Sequence, residues 1–131
     1  MSTPPRLYDS GSLQRLEWPA VTAIVAAACA FPPSREAALA LVPAAPDSAA
    51  ERRRERIVEL LALRREGVDP HIGGAADLRP ALDRVAKGGA LDGGSLFAIA
   101  ETLRIVDRLQ GELARGGPLL SEMATELAPL R

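Results

Sequence analysis

The sequence has few aromatic residues and a single cysteine, and both shortages narrow the class of protein. Aromatic residues make up 3% of the 131 residues, whereas hydrophobic residues make up 47%. The apolar content is therefore mostly alanine, leucine and valine, which favours an all-α fold over a β-sandwich. The one cysteine, Cys29, cannot form a disulfide within the chain, as is typical of proteins from a reducing cytosol.

Net charge and long apolar runs are also lacking. The formal net charge is −1 at pH 7, so no overall field would attract nucleic acid or a membrane surface. The longest apolar run, from Ala20 to Phe31, is far shorter than the ~20 residues that span a bilayer. Residues 1–12 are polar and lack the apolar core of a signal peptide. We therefore expect a cytoplasmic protein with no membrane partner, and a disordered tail over residues 1–12.

Helix-breaking residues divide the rest of the chain into about six helices, which we expect to form an elongated bundle. Pro19 suits the first turn of a helix that begins near Leu13 and stops at Pro32-Pro33. Ser34 is predicted to cap a second helix, which ends near Val42.

The third helix is expected to begin at Asp47 or Ser48, either of which can act as its cap, and to end at Gly67. Its first half, from Glu51 to Arg56, is nearly all charged and should lie in solvent. Its second half should be packed. The apolar residues of that half are Ile57, Val58, Leu60, Leu61 and Leu63.

Three glycine pairs follow, and they raise the question of a phosphate-binding loop. Neither the G-x-x-x-x-G-K-[ST] spacing of a Walker A loop nor the G-x-G-x-x-G dinucleotide fingerprint is present. Two of the pairs, Gly73-Gly74 and Gly88-Gly89, are better interpreted as marking helix ends. Asp77 is predicted to cap a fourth helix, with Pro80 in its first turn and Gly88 as its left-handed end.

A long fifth helix is predicted from an Asp92 cap to about Arg115, although Gly93-Gly94 should make its start weak. It carries a heptad-like stripe suited to packing along another helix. The stripe consists of Leu96, Ile99, Leu103, Val106, Gln110 and Leu113. A last helix places Leu120, Met123, Leu127 and Leu130 on one side.

Residues that could carry chemistry are sparse. His71 and Cys29 are too few for a metal site, and no nucleophile with a base is apparent. The arginine run in the third helix leaves two interpretations open. It is either a solvated, ion-paired helix face or a patch that contacts phosphates of nucleic acid. The candidate nucleic-acid-binding residues are Arg52, Arg53, Arg54 and Arg56.

Several short motifs occur in a fixed order between Leu16 and Leu109. Leu-Glu-Trp comes first, followed by Gly-Gly, Asp-Leu-Arg-Pro, a further Gly-Gly-Ala-Leu and Thr-Leu-Arg. The residues that define these motifs are Trp18, Gly73, Gly74, Asp77, Arg79, Pro80, Gly88 and Gly89. In this order, residues 13–131 resemble the N-terminal segment of the MutS-II family, the second bacterial MutS branch. Asp92 to Ser95 depart from the Ser-Pro-Glu-Glu usual in that family.

The resemblance implies that the chain begins the helical core and lever of a dimeric, clamp-like ATPase. The family's ATP- and Mg-binding domain and its small nuclease domain lie downstream, so no catalytic residue and no cofactor is expected in this chain. The implied partners are those downstream domains or a second copy, together with branched DNA or ribosomal RNA. Suppression of recombination and rescue of stalled ribosomes are the associated processes. The alternative is a free-standing helical module that binds another protein.

Overall fold

A computed structural model describes residues 9–43 and 47–127. Over these residues the protein is all-α, as predicted, with seven helices and no strand. The helices are α1 (Ser10–Arg15), α2 (Trp18–Ala27), α3 (Pro32–Leu39), α4 (Asp47–Arg65), α5 (Arg79–Ala86), α6 (Gly93–Leu113) and α7 (Pro118–Glu126). None of the helices in these two stretches has both the length and the apolarity needed to cross a membrane. The chain divides into two compact units, residues 1–54 and 55–131, and α4 contributes to each.

The first unit begins with a helix that the sequence analysis did not separate from α2. Helix α1 starts at Ser10 rather than Leu13, because the Asp9 carboxylate accepts a hydrogen bond of 2.6 Å from the Ser12 N–H. The chain then turns at Glu17, whose φ of +51° is left-handed, so the predicted single helix is two. Residues 1–8 of the expected tail lie outside the described residues.

The Pro32-Pro33 pair begins α3, whereas we predicted that it would end the preceding helix. Helix α2 already stops at Ala27, and both prolines lie in the first turn of α3. The missing N–H groups are no loss there because first-turn donors have no partner within the helix. Phe31 is the N-cap residue, so the prediction that Ser34 caps this helix was wrong.

Helices α2 and α3 form a hairpin with a small buried interface. Thr22, Ala26 and Ala38 are its buried residues. The Trp18 indole Nε1–H closes the hairpin by donating a 2.8 Å hydrogen bond to the Leu41 carbonyl. Small side chains allow close approach of the two helices, but they bury little apolar surface.

In the second unit, the last residue of α4 is Arg65, and the predicted stop at Gly67 is confirmed. Gly67 has a φ of +85°, and its N–H donates to the Arg64 carbonyl. The next N–H, from Val68, reaches back to the Leu63 carbonyl over 3.3 Å. These two bonds define a Schellman motif, which turns Val68 inward against Leu63. Both side chains are buried in the core of this unit.

The start of α5 differs from the prediction by one residue. Leu78 is its N-cap residue, not Asp77. The Asp77 carboxylate still accepts a 3.1 Å hydrogen bond from the Arg79 N–H and pairs with the Arg79 guanidinium. Pro80 in the first turn is confirmed, and so is the left-handed end at Gly88, where φ is +78°.

The prediction that Asp92 caps α6 is confirmed, because the Asp92 carboxylate accepts a 2.7 Å hydrogen bond from the Ser95 N–H. The helix ends at Leu113, close to the predicted Arg115. The predicted stripe is only partly covered: Leu113 is buried, whereas Leu96 and Leu103 are exposed.

The core of the second unit joins α4, α6 and α7. Its buried members are Leu63, Val68, Leu113, Leu120 and Ala124. The prediction that the second half of α4 is packed holds only for the side of the helix that faces this cluster. Ile57, Val58 and Leu61 do not belong to the cluster and are exposed. The predicted Leu130 lies outside the described residues.

Candidate functional site

An apolar groove lies in the second unit beside the core. It has a volume of about 440 Å³ and is open to solvent along one side. Four segments line it: α4, residues 70–72, the C-terminal part of α6, and α7 with the residue that follows it. Its apolar walls include Ile57, Leu60, Ile72, Leu109, Leu113 and Met123. A concave surface of this size with so few polar groups is the usual form of a binding site.

Helix α7 is held in place by a carboxylate from α4. Glu59 accepts hydrogen bonds from the N–H groups of Leu119 (3.3 Å) and Leu120 (2.9 Å). These are unpaired donors of the first turn of α7, whose N-cap residue, Gly117, has no side chain to satisfy them. A Cβ at Gly117 would overlap the Glu59 carboxylate. Glu59 and Gly117 therefore position α7, which forms one wall of the groove, and neither residue was predicted as a site residue.

Residues 70–72 form another wall, and the segment from 70 to 76 is fastened to α6. The Arg108 guanidinium donates to the His71 carbonyl over 3.1 Å, and its Nη2 lies 3.1 Å from His71 Nδ1. Further along, the buried Thr102 hydroxyl accepts a 3.0 Å hydrogen bond from the Ala76 N–H. Gly74 supplies the turn between these anchors, with a φ of +90°. The His71 side chain is exposed and lies at the groove.

The charged edge of the groove is basic. Arg56 lines it, and the Arg56 Nε is enclosed by the protein without a hydrogen-bond partner. His71 lies on the same lining, with Arg108 bound to it. The nearest carboxylate to Arg108 is Glu112, whose Oε1 is 3.9 Å from the Arg108 Nε. Burial of a guanidinium nitrogen without an acceptor costs free energy, which an incoming acceptor would recover.

The other arginines predicted to contact nucleic acid lie in the first unit. Arg52, Arg53 and Arg54 are all exposed. Because successive residues of an α-helix are about 100° apart, these three side chains leave the helix in different directions. Glu51 and Glu55 lie beside them in the sequence, so positive and negative charges alternate around this part of α4.

The motif residues on which the MutS-II resemblance rests stabilise local structure and do not line the groove. Trp18 closes the α2–α3 hairpin, and Asp77 pairs with Arg79. Gly88 and Gly89 form a Schellman motif through bonds to the Val85 and Arg84 carbonyls. A Cβ at Gly89 would also overlap the Arg84 side chain, at 2.7 Å. Gly73 and Gly74 form the turn before α5.

Within the part of the chain that the structure describes, no three His, Cys, Asp or Glu side chains are grouped so that they could hold a metal ion. Comparisons with protein-family models, with curated proteins and with solved structures found no match to this chain. The groove and the exposed helix faces are therefore the features from which function is inferred.

Proposed function

We propose that the chain is a helical scaffold whose exposed apolar helix faces pack against further protein. One observation carries the proposal. Helix α6 leaves Leu96, Ala100 and Leu103 exposed at spacings of four and three residues, which puts them on one side of the helix. Leu103 is 54% exposed, and the neighbouring Phe97 is 66% exposed. Scattered apolar residues on a surface are ordinary, but a continuous stripe of them is typical of an interaction site.

In the first form of this proposal, the chain is part of a MutS-II-like protein. The chain would be the N-terminal part of its core and lever, joined to downstream ATPase and clamp domains or to a second copy. The order of the sequence motifs supports this form. The second form is a free-standing module that binds a separate protein, and the groove in the second unit favours it because a complete binding surface lies within one compact unit.

Photo-crosslinking at Leu103 tests the scaffold proposal in the natural protein. A photoreactive amino acid is placed at Leu103 in the chromosomal gene, and the crosslinked peptides are identified by mass spectrometry. We expect crosslinks to protein segments outside residues 1–131, or to a second copy. Lys87 is the control, because it is exposed just beyond the end of α5 and is not part of the α6 stripe. Equal crosslinking at both positions contradicts the proposal.

The two forms are separated by the gene itself. A reading frame that continues past the codon for Arg131 into G-x-x-x-x-G-K-[ST] supports the MutS-II-like form. A stop codon at that point favours the free-standing module.

Nucleic-acid binding through the arginine run is tested by its dependence on salt. Affinity for a four-way DNA junction and for ribosomal RNA is measured at two salt concentrations. If the arginines neutralise phosphates, log K falls with log salt concentration, and replacing Arg52, Arg53 and Arg54 by alanine makes this slope less negative by about 2 to 3. The control replaces Arg64 and Arg65, at the other end of the helix, by alanine. An unchanged slope, or no binding at either salt concentration, rejects the contact.

A further inference from the structure

We propose that the groove of the second unit binds one amphipathic α-helix of a partner protein, with an acidic residue of that helix opposite Arg56. The inference rests on the scaffold function and specifies the partner's chemistry. It concerns the surface formed by α4, α6 and α7, which is different from the Leu96–Leu103 stripe used above.

The walls of the groove favour a helix over an extended peptide. They consist of side chains such as Leu60, Leu109 and Met123, and the backbone groups of α4, α6 and α7 are engaged in their own helices. An extended segment would bury N–H and C=O groups against this surface with no partners for them. A helix satisfies its own backbone and presents apolar side chains at spacings of three and four residues.

The extent of the apolar surface favours a helix over a small amphiphile. Ile57 lines the groove and is 58% exposed. Leu61 lies one turn further along α4 on the same side, and Val58 is adjacent; both are exposed. This apolar shelf continues the groove beyond its 440 Å³. A small ligand would leave the shelf in water, whereas a helix of about three turns would cover both parts.

The positive charge of Arg56 at the groove indicates which charge the partner helix should carry at the end that lies there. The Arg56 guanidinium has no carboxylate partner among the described residues, and its Nε is enclosed. Two carboxylates are directed elsewhere. Glu59 binds the start of α7, and Glu112 Oε1 lies 3.9 Å from the Arg108 Nε, whereas Glu112 Oε2 is enclosed without a hydrogen-bond partner. An acidic side chain on the partner would pair with Arg56 beside the cationic Arg108, so we expect the helix to be acidic at that end.

The probe is a synthetic helix whose features can be changed one at a time. It is a stapled amphipathic peptide of about 14 residues, because unconstrained helices of this length are marginal in water. Leucines at spacings of three and four residues form its apolar side, and one glutamate stands at its end. A matched peptide has lysine in place of the glutamate. Fluorescence anisotropy gives the affinity for the full chain, and amide NMR shifts locate the binding surface.

Two variants of the chain give distinct expected results. Ile57→Lys weakens binding of the glutamate peptide by about tenfold or more, because it places a charge in the apolar surface. Val85→Lys is the matched control, since Val85 is an exposed valine on α5 of the same unit and does not line the groove. Arg56→Glu weakens the glutamate peptide by about five- to tenfold and strengthens the lysine peptide by a similar factor. Circular dichroism checks that each variant retains its helix content.

Four outcomes overturn the proposal. One is absence of saturable binding by either peptide; another is equal loss with Ile57→Lys and Val85→Lys. In a third, dodecanoate displaces the peptide and shifts amide NMR signals only in the groove, with none at Leu61. That result would assign the groove to a small amphiphile. The fourth is self-association that Ile57→Lys abolishes, measured by sedimentation, which assigns it to a second copy. The crosslinking experiment at Leu103 does not depend on any of these four outcomes, so it tests the scaffold function separately from the groove.

Discussion

Two glycines of the second unit illustrate opposite consequences of lacking a Cβ. Gly88 has a φ of +78° at the end of α5, whereas Gly111 lies within α6; a Cβ would meet no atom within 4 Å at either position. We expect Gly88→Ala to lower the free energy of unfolding by about 1 kcal/mol, because alanine is strained in the left-handed region. Gly111→Ala should raise it by about 1 kcal/mol, because alanine loses less backbone entropy in a helix.

Urea denaturation followed by circular dichroism measures both effects. The two positions serve as controls for each other, since neither substitution creates a clash and only the backbone conformation differs. A stabilising Gly88→Ala would contradict the assignment of a left-handed helix end.

The Asp92 carboxylate, which caps α6, should make the stability of the fold depend on pH. The hydrogen bond from the Ser95 backbone N–H, with smaller contributions from the Ser95 side chain and the charge of Arg84, holds the pKa of Asp92 below its ordinary value of 3.8. A carboxyl group with a lowered pKa in the folded state stabilises the fold above its unfolded pKa, and this stabilisation is lost as the pH falls through the folded pKa. Stability should therefore decrease in acid, partly through Asp92.

The pH dependence is tested by comparing Asp92→Asn with the natural chain between about pH 2 and pH 6. Asparagine is also a good N-cap residue but does not titrate in this range. We expect the variant to be close to the natural chain in stability at low pH and to show a shallower loss of stability on acidification. An identical pH profile would falsify the role of the Asp92 charge.

Among the helices, α7 depends on a contact made by α4. Glu59 supplies the acceptors that the first turn of α7 lacks, and Gly117 leaves the space for its carboxylate. Glu59→Ala should cost about 1 to 2 kcal/mol, because two N–H groups lose a charged partner. Gly117→Ala should also destabilise, because the new methyl group displaces the carboxylate.

Because both substitutions break the same contact, their combined effect should be smaller than the sum of the single effects. Denaturation of the two single variants and the double variant measures this coupling. Glu55→Ala, one turn earlier on the exposed part of α4, is the control and should change stability by no more than about 0.5 kcal/mol. Strict additivity would show that Glu59 and Gly117 act independently.

For the molecule as a whole, the division into two compact units predicts two unfolding events. The one tryptophan, Trp18, reports on the first unit, whereas Leu63 is 2% exposed in the core of the second. Leu63→Ala should lower the stability of the second unit by about 2 to 5 kcal/mol, through lost burial and the cavity left behind. Trp18 fluorescence should report a much smaller change.

Thermal and urea unfolding, each followed by circular dichroism and by Trp18 fluorescence, provide the measurement. Ile57→Ala, at an exposed apolar residue of the same helix, is the control and should shift neither transition by much. Coincident shifts of both signals in Leu63→Ala would instead show that the chain unfolds as one cooperative unit.

The all-α fold class and several helix ends could be predicted from local chemistry. Gly67 and Gly88 end helices because they adopt φ values that residues with a Cβ avoid, and Asp92 begins one because its carboxylate reaches a nearby N–H. The Pro32-Pro33 pair shows the limit of such rules. Proline is compatible with the start of a helix as well as with its end, and the extended Phe31 that selects the start in this chain carries no strong local signal.

The arrangement of the groove could not be predicted in the same way. Arg56, His71, Leu109 and Met123 come from separated segments, and only the packing of α4, α6 and α7 brings them together. The side of a helix that becomes buried depends on what lies opposite it, and periodicity cannot supply that information. Residue chemistry thus determined the all-α class and several helix ends, because these depend on bonds within a few residues. Contacts between distant parts of the chain decided which apolar faces remain open, and why the Arg56 Nε has no hydrogen-bond acceptor among the described residues.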